Sequence, residues 1–393
     1  MRNAFLFTFA LLSTSISIAS EIPAPTKDGL TFSCAPAVLA QLEAEMSVYL
    51  AELAIKDNWI IKSKSQDDTQ LNYQLNTPDF DTSTKDFSKR PEYAITPTEL
   101  ELPGKAGKTL RIQTVSKKEI MLALMQHGRT TVFAQNACSV EALRDHIGIR
   151  QNTVAWAEVL EWNWPDGGSA YWNKKYWRRG TPKKGHSLHT AVNDAFINQD
   201  KYSIGCYTAT KLLMLQGVLD YYFRVKNDYI ELARIEEQLN KDGEPLVNVE
   251  PGIMWNFESD YDHHEDTRPG TLLQIQYQIA KDNFVPGDWL YFLNTDTNSY
   301  QKTGYEGSNA VYLGLNRFDD YYNDNNHAYS YSQKLDEVYQ WRNGVFSRSR
   351  DAKKIKPLSE QDLETLSEAP DKGGLLNTFR VFPYQFGSIE LTH

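Results

Sequence analysis

The chain holds 3 cysteines, Cys34, Cys138 and Cys206, and an odd number leaves at least one thiol outside any internal disulfide. Cys34 and Cys138 sit in Ser-, Asn- and Ala-flavoured, loop-like contexts (TFSCAP and QNACSV), whereas Cys206 opens a long apolar run. Of the three possible pairings, the expected one is Cys34–Cys138, with Cys206 free. In Tyr202-Ser203-Ile204-Gly205-Cys206-Tyr207-Thr208-Ala209-Thr210 the thiol falls where a helix should begin. The N–H groups and the dipole of a helix start favour a thiolate, and the same N–H groups can hold an oxyanion. The competing reading is plainer: a lone Cys at the head of an apolar helix most often acts as a small core hydrophobe.

A nucleophilic thiolate requires an imidazole that is adjacent in the fold, not in the sequence. Of the 8 histidines, His127, His146, His186 and His189 lie upstream, His263 and His264 lie in an acidic loop (SDYDHHED), and His393 ends the chain. His327 differs because it opens a strand-like HAYSYS directly after two expected strands, a place from which a side chain reaches a helix terminus. Its plainer reading is an exposed loop residue beside Asn325 and Asn326. The DHHED cluster is a weak metal signal, since adjacent histidines point apart and there is no HExxH-type spacing. No metal or organic cofactor is expected.

These groups need elements to position them. Pro36 to Lys62 reads as one amphipathic helix, and Ser63 to Lys108, rich in polar residues and Pro, reads as an extended arm or linker, with a domain boundary there. Helical patterning returns from Ser116 and stops at Pro165-Asp166-Gly167-Gly168. The segment from Cys206 to about Arg224 is apolar around most of its circumference, which predicts a buried central helix. After Pro286-Gly287-Asp288, the runs WLYFLN, NAVYLGLNRF and HAYSYS predict antiparallel strands. Helices first and an antiparallel sheet second give an α+β class.

The whole chain, 393 residues with 41 Lys+Arg against 51 Asp+Glu, carries a net charge of −10, which argues against nucleic acid as a partner. An apolar run from Ala4 to Leu12, followed by Ser17 and Ala19, predicts a signal peptide over residues 1–19 and a secreted or periplasmic protein without stable membrane insertion. Residues 20–108 are then an accessory segment, either a pro-segment or a substrate-recruiting arm, and residues 109–393 the catalytic domain.

Three stretches, Tyr176 to Tyr222 (YWRRGTPKKGHSLHTAVNDAFINQDKYSIGCYTATKLLMLQGVLDYY), Pro286 to Asp296 (PGDWLYFLNTD) and Tyr305 to Phe318 (YEGSNAVYLGLNRF), are followed by His327. Together they resemble the spore-coat-type bacterial transglutaminases, which are protein-glutamine gamma-glutamyltransferases. The likeness spans Thr109 to Gly344 and implies a papain-like, transglutaminase-like core with the nucleophile at the start of a buried helix packed on an antiparallel sheet. It implies Cys206 as nucleophile and His327 as its partner. Where the family has the Glu of Gly-Glu-Asn, this chain has Ser308; Glu306, two residues earlier on the same side of a strand, is the expected substitute, with Asn309, Asp319 and Asp320 as rivals. Gly205 stands where the family has a Glu before the Cys, and Tyr305 replaces a Trp flanking the substrate tunnel. Trp177, Tyr207, Tyr305 and Asn309 are the expected substrate contacts.

The resemblance implies a thioester formed from a protein glutamine and resolved by a lysine amine, giving a crosslink, or by water, giving glutamate. Its partners would be proteins with accessible Gln and Lys. One alternative is a papain-like cysteine peptidase or amidase of the cell envelope, which uses the same Cys–His pair. The other is a binding module in which Trp156, Trp162, Trp164, Trp172 and Trp177, with the basic residues Lys174 to Lys184, form an aromatic-basic face.

Overall fold

The computed structural model describes residues 28–165, 168–178, 180–241, 273–276, 279–323, 328–346 and 351–383. The expected signal peptide and His263, His264, His327 and His393 lie outside the described residues. In chain order the main elements are β1 (Gly29–Ser33), α1 (Pro36–Glu52), β2 (Ile60–Lys64), β3 (Gln70–Leu75), β4 (Thr98–Pro103), β5 (Thr109–Thr114), α2 (Lys117–Met125), β6 (Thr130–Ala134) and α3 (Val140–Ala157). Next come β7 (Trp177–Arg178), β8 (Thr181–Pro182), α4 (Leu188–Ile197), α5 (Cys206–Asp220), α6 (Tyr229–Lys241), β9 (Leu273–Gln276), β10 (Trp289–Leu293), β11 (Gly307–Gly314) and β12 (Arg317–Asp319). The chain continues with α7 (Tyr331–Trp341), α8 (Glu360–Leu366) and β13 (Leu376–Pro383).

Two sheets frame the helices, which makes the class α+β. The first has the order β2-β3-β1-β6, with β1 parallel to β6, and the second, β12-β11-β10-β13-β9, is antiparallel throughout. Helix α5 packs on α3 on one side and on β11 on the other, so its apolar circumference is buried as the sequence pattern requires. The α3–α5 approach is close enough that a Cβ on Gly217 would lie 1.9 Å from Thr153 Oγ1. Asn152 donates to the Gly217 carbonyl (3.0 Å) and to Asp220 Oδ2 (3.1 Å), and Trp156 Nε1 donates to the same carboxylate (2.8 Å), fixing the far end of α5.

Strand β10 is anchored by a buried ion cluster at its N-terminal edge. Asp288 accepts from Arg129, from Arg150 Nη1 (3.0 Å) and from the Val285 backbone N–H (2.9 Å), and Arg150 Nε donates to His146 Nε2 (2.8 Å). Burial pushes the Asp288 carboxyl up, but the two guanidiniums outweigh it and hold the pKa down at about 2. Burial beside Arg150 drives His146 well below the usual imidazole range.

The N-terminal region departs from the sequence expectations. The first helix ends at Glu52, because Ala54 takes a left-handed conformation (φ 52°) and the chain then enters β2. Residues 63–108 are no linker: β3 is an inner strand, buried along its whole length. Its polar composition hid this, because Asn72 is buried by hydrogen bonding, with Nδ2 donating to Thr31 Oγ1 (2.9 Å) and to the Asp28 carbonyl (2.9 Å). A boundary at residue 108 would cut the β4–β5 hairpin, whose register pairs Thr98 with Thr114 and Pro103 with Thr109. A disulfide joins Cys34, just after β1, to Cys138, just before α3. The HAYSYS segment is also different: Tyr329 makes a single bridge to Phe318, and Ser330 caps α7 in a capping box with Gln333.

Candidate active site

Cys206 is the first residue of α5 and the free thiol among the described cysteines. Gly205 precedes it in extended conformation and offers no side chain to cap the first turn. A Cβ there would meet nothing within 4 Å, so the space ahead of the helix is open. The Thr210 hydroxyl donates to the Cys206 carbonyl (2.8 Å) and is paired with the Tyr321 hydroxyl (2.7 Å), tying the first turn to the segment after β12.

The thiol meets the second sheet through Asn309 on β11, whose Nδ2 donates to Cys206 Sγ at 3.2 Å. Asn309 Oδ1 in turn accepts from Trp289 Nε1 at 2.7 Å, and the Trp289 ring lies 5.3 Å from that of Tyr207. Burial pushes the Cys206 thiol up; the Asn309 donor and the more distant Lys334 act downward, the carboxyl of Glu306 acts upward, and the net direction is up. A thiol held in this state requires a base to ionise it near neutral pH.

Cys206 opens on a small pocket of about 40 Å³, walled by Trp164, Tyr305, Tyr322 and Trp341 and edged by Asp320 and Glu337. The two carboxylates share a buried cation: Lys334 Nζ lies 2.8 Å from Glu337 Oε2 and 3.2 Å from Asp320 Oδ2, and 4.8 Å from the centre of the Tyr329 ring. Burial works against the Lys334 charge, but these two carboxylates overcome it and raise its pKa above the ordinary range.

The expected site residues are placed unevenly. Tyr305 lines the pocket, with its ring 5.1 Å from Trp164 and 5.2 Å from Trp341. Asn309 touches the thiol itself. Glu306 is buried between two pocket-lining neighbours; its Oε1 accepts from the Gly304 N–H (2.9 Å), its Oε2 has no hydrogen-bond partner among the described residues, and burial pushes its carboxyl up. Tyr207 turns toward Trp289 and is not among the pocket-lining residues. Trp177 is a correction: it is 1% exposed, donates to the Ala191 carbonyl (3.1 Å) and packs on Trp172, so it belongs to the core and not to a substrate wall. Trp156, Trp162 and Trp172 are buried with it, which removes the aromatic-basic face.

Each described histidine is engaged away from the thiol: His127 with the Thr77 carbonyl, His146 with Arg150, His186 against Tyr176 and His189 against Phe223. Sequence reasoning missed Glu337, Trp341 and Lys334, because the run entering α7 reads as a strand. The signal was the three- and four-residue spacing of Lys334, Glu337, Val338 and Trp341. Among the described residues no group of three His, Cys, Asp or Glu side chains is placed to hold a metal ion, and no helix is long and apolar enough to cross a membrane.

The structure thus places a free thiol at a helix start, donor-bonded to a strand residue and facing an aromatic-acidic pocket. Residues 102–343 match the family described as protein-glutamine gamma-glutamyltransferase; the match covers more than half of the chain, which therefore belongs to that family of acyltransferases acting on protein substrates. Among solved structures, a transglutaminase from Geobacillus stearothermophilus, without its C-terminal extension, is similar at 15% identity and a TM-score of 0.40, over 64% of this chain and 98% of that one. No curated protein matches.

Proposed function

We propose that the chain is an exported enzyme that transfers the acyl group of a protein glutamine side chain through a thioester on Cys206. The observation that carries this reading is the Cys206 thiol at the start of α5, in contact with Asn309 and open to the pocket. His327 takes the thiol proton and the thiolate attacks the γ-carboxamide carbon. N–H groups of the first turn hold the oxyanion, and the protonated imidazole returns its proton to the departing ammonia. Support for His327 comes from the chain before it: Tyr322, five positions earlier, lines the pocket. Glu306 is the proposed third group, supported by its burial beside the pocket and its electrostatic coupling to the thiol.

The thioester is resolved by a lysine amine, which forms the isopeptide bond and expels the thiolate, or by water, which leaves glutamate. Aromatic walls beside Asp320 and Glu337 suit the apolar stem and charged head of a lysine, which favours the amine. Export is supported by the leader-like first 19 residues and by the Cys34–Cys138 disulfide, a bond that persists in oxidising compartments.

The test is incorporation of a labelled primary amine into a glutamine-rich protein, read by mass spectrometry beside Cys206→Ala. Incorporation that vanishes in the variant supports the reading. Conversion of glutamine to glutamate without amine shifts it to deamidation, and cleavage of the substrate backbone overturns it in favour of a peptidase.

A further inference from the structure

The contact between Asn309 and Cys206 depends on which way the amide faces, and the protein contains a device that sets this. An Asn side chain can present either its NH₂ or its oxygen to a sulfur, and the two choices have opposite effects: an N–H donor stabilises a thiolate, while an amide oxygen repels it. The second atom of the amide therefore decides the matter. Asn309 Oδ1 lies 2.7 Å from Trp289 Nε1, and an indole N–H only donates. The oxygen must face the indole, so the NH₂ must face Cys206 Sγ, 3.2 Å away.

Both groups are enclosed, with Trp289 2% and Asn309 4% exposed, so water does not compete for either bond. The sheet register fixes their approach. Trp289 stands opposite Val311 and Tyr291 opposite Asn309, so Trp289 reaches Asn309 along the diagonal of one face, within range of a long aromatic side chain. The Trp289 ring also rests on Tyr207, the residue after the thiol, so one side chain touches both sides of the Asn309–Cys206 bond.

We infer that Trp289 is a positioning residue for the thiol reaction: its indole N–H locks the Asn309 amide with the NH₂ toward sulfur, and the locked amide stabilises the Cys206 thiolate. This rests on the reading of Cys206 as nucleophile. The same donor acts twice in the cycle. It stabilises the thiolate that attacks the carboxamide, and it stabilises the thiolate expelled when the amine attacks the thioester and the carbon–sulfur bond breaks. In the acyl-enzyme the sulfur carries no charge and the donor matters least, so the effect falls on reaction rates and not on substrate binding.

The test is the pH dependence of Cys206 alkylation by iodoacetamide in the full chain, measured for wild type, Trp289→Phe, Asn309→Asp and the double variant. Trp289→Phe keeps an aromatic ring against Tyr207 and removes the N–H. The alkylation midpoint is expected to rise by about one pH unit in Trp289→Phe, and by at least as much in Asn309→Asp, because a hydrogen bond to the charged form is lost. In the double variant Trp289→Phe should add nothing to Asn309→Asp, and kcat for amine incorporation should fall about tenfold in Trp289→Phe with KM unchanged. If the Phe variant does not fold, benzothienylalanine at position 289, an indole isostere with sulfur in place of the N–H, makes the same test.

An unchanged alkylation midpoint in the folded Trp289 variant, or additive shifts in the double variant, overturns the inference and leaves the acyl-transfer reading intact. Absence of amine incorporation in wild type overturns the acyl-transfer reading, while the alkylation profile still decides whether Trp289 acts through Asn309.

Discussion

Two buried charge clusters stand near the two ends of the β10–β11 hairpin, and they are built in opposite ways. Around Asp288 one carboxylate receives two guanidiniums and a backbone N–H, so donors outnumber charge to be satisfied. Around Lys334 one ammonium lies between Asp320 and Glu337, and both carboxylates line the pocket beside Cys206. The first arrangement is a fastener: it ties β6 and α3 to the start of β10 and is closed to solvent. The second stands at the wall of the pocket, where its two carboxylates reach the space beside the thiol. One cluster ties buried elements together, and the other shapes the lining of the pocket.

The largest effect should come from breaking the fastener. Arg129→Met leaves Asp288 buried with one guanidinium fewer and should cost about 3–5 kcal/mol of stability, read by urea denaturation. Asp288 itself contributes stability that is complete above the unfolded carboxylate pKa and disappears as pH falls from about 4 toward 2.

Glu119 sharpens the contrast, because it is a buried carboxyl with no such pair of cations. Its Oε1 accepts one backbone N–H, from Leu315 (2.7 Å), and burial pushes its pKa up to about 7. A raised acid pKa makes the fold less stable as pH climbs from about 4.5 to 7, so Glu119→Gln should remove a loss of roughly 2–3 kcal/mol over that window, visible in melting temperature against pH.

The smallest effect belongs to the pocket. Glu337→Gln should raise KM for a cationic amine acceptor several-fold, about 1 kcal/mol, at about pH 8, with little change for hydroxylamine, which is neutral there. Equal changes for both acceptors would show that Glu337 does not read charge.

The sequence made some of this arrangement readable and concealed the rest. The α5 segment was legible because a nearly continuous apolar run can only be a buried element, and its head is marked by Ser203, Gly205 and Cys206. Strands β10 and β11 followed from alternation and from the turn residues before them. Strand β3 did not, since Asn72 and Gln74 are buried polar residues whose partners come from a distant part of the chain. Local composition cannot register a partner 41 positions away. Glu337 and Lys334 were hidden for a related reason: Tyr329 does make a one-residue bridge, but the helix cap one residue later overrides the strand pattern. Asn309 was marked as a substrate contact, and its bond to sulfur depends on a β10–β11 register that spacing alone does not give.

The parallel pairing of β1 with β6 sets a schedule for the growing chain. Gly29 faces Thr130 and Ser33 faces Ala134, while Cys34 reaches its partner across 104 positions. A nascent chain emerging N-terminus first must therefore hold β1 unpaired on its β6 side, and Cys34 without its partner, until about a hundred further residues have been made. Any route that delays compaction past that point, such as passage through a translocation channel as an extended chain, protects that strand edge from pairing with a neighbouring copy.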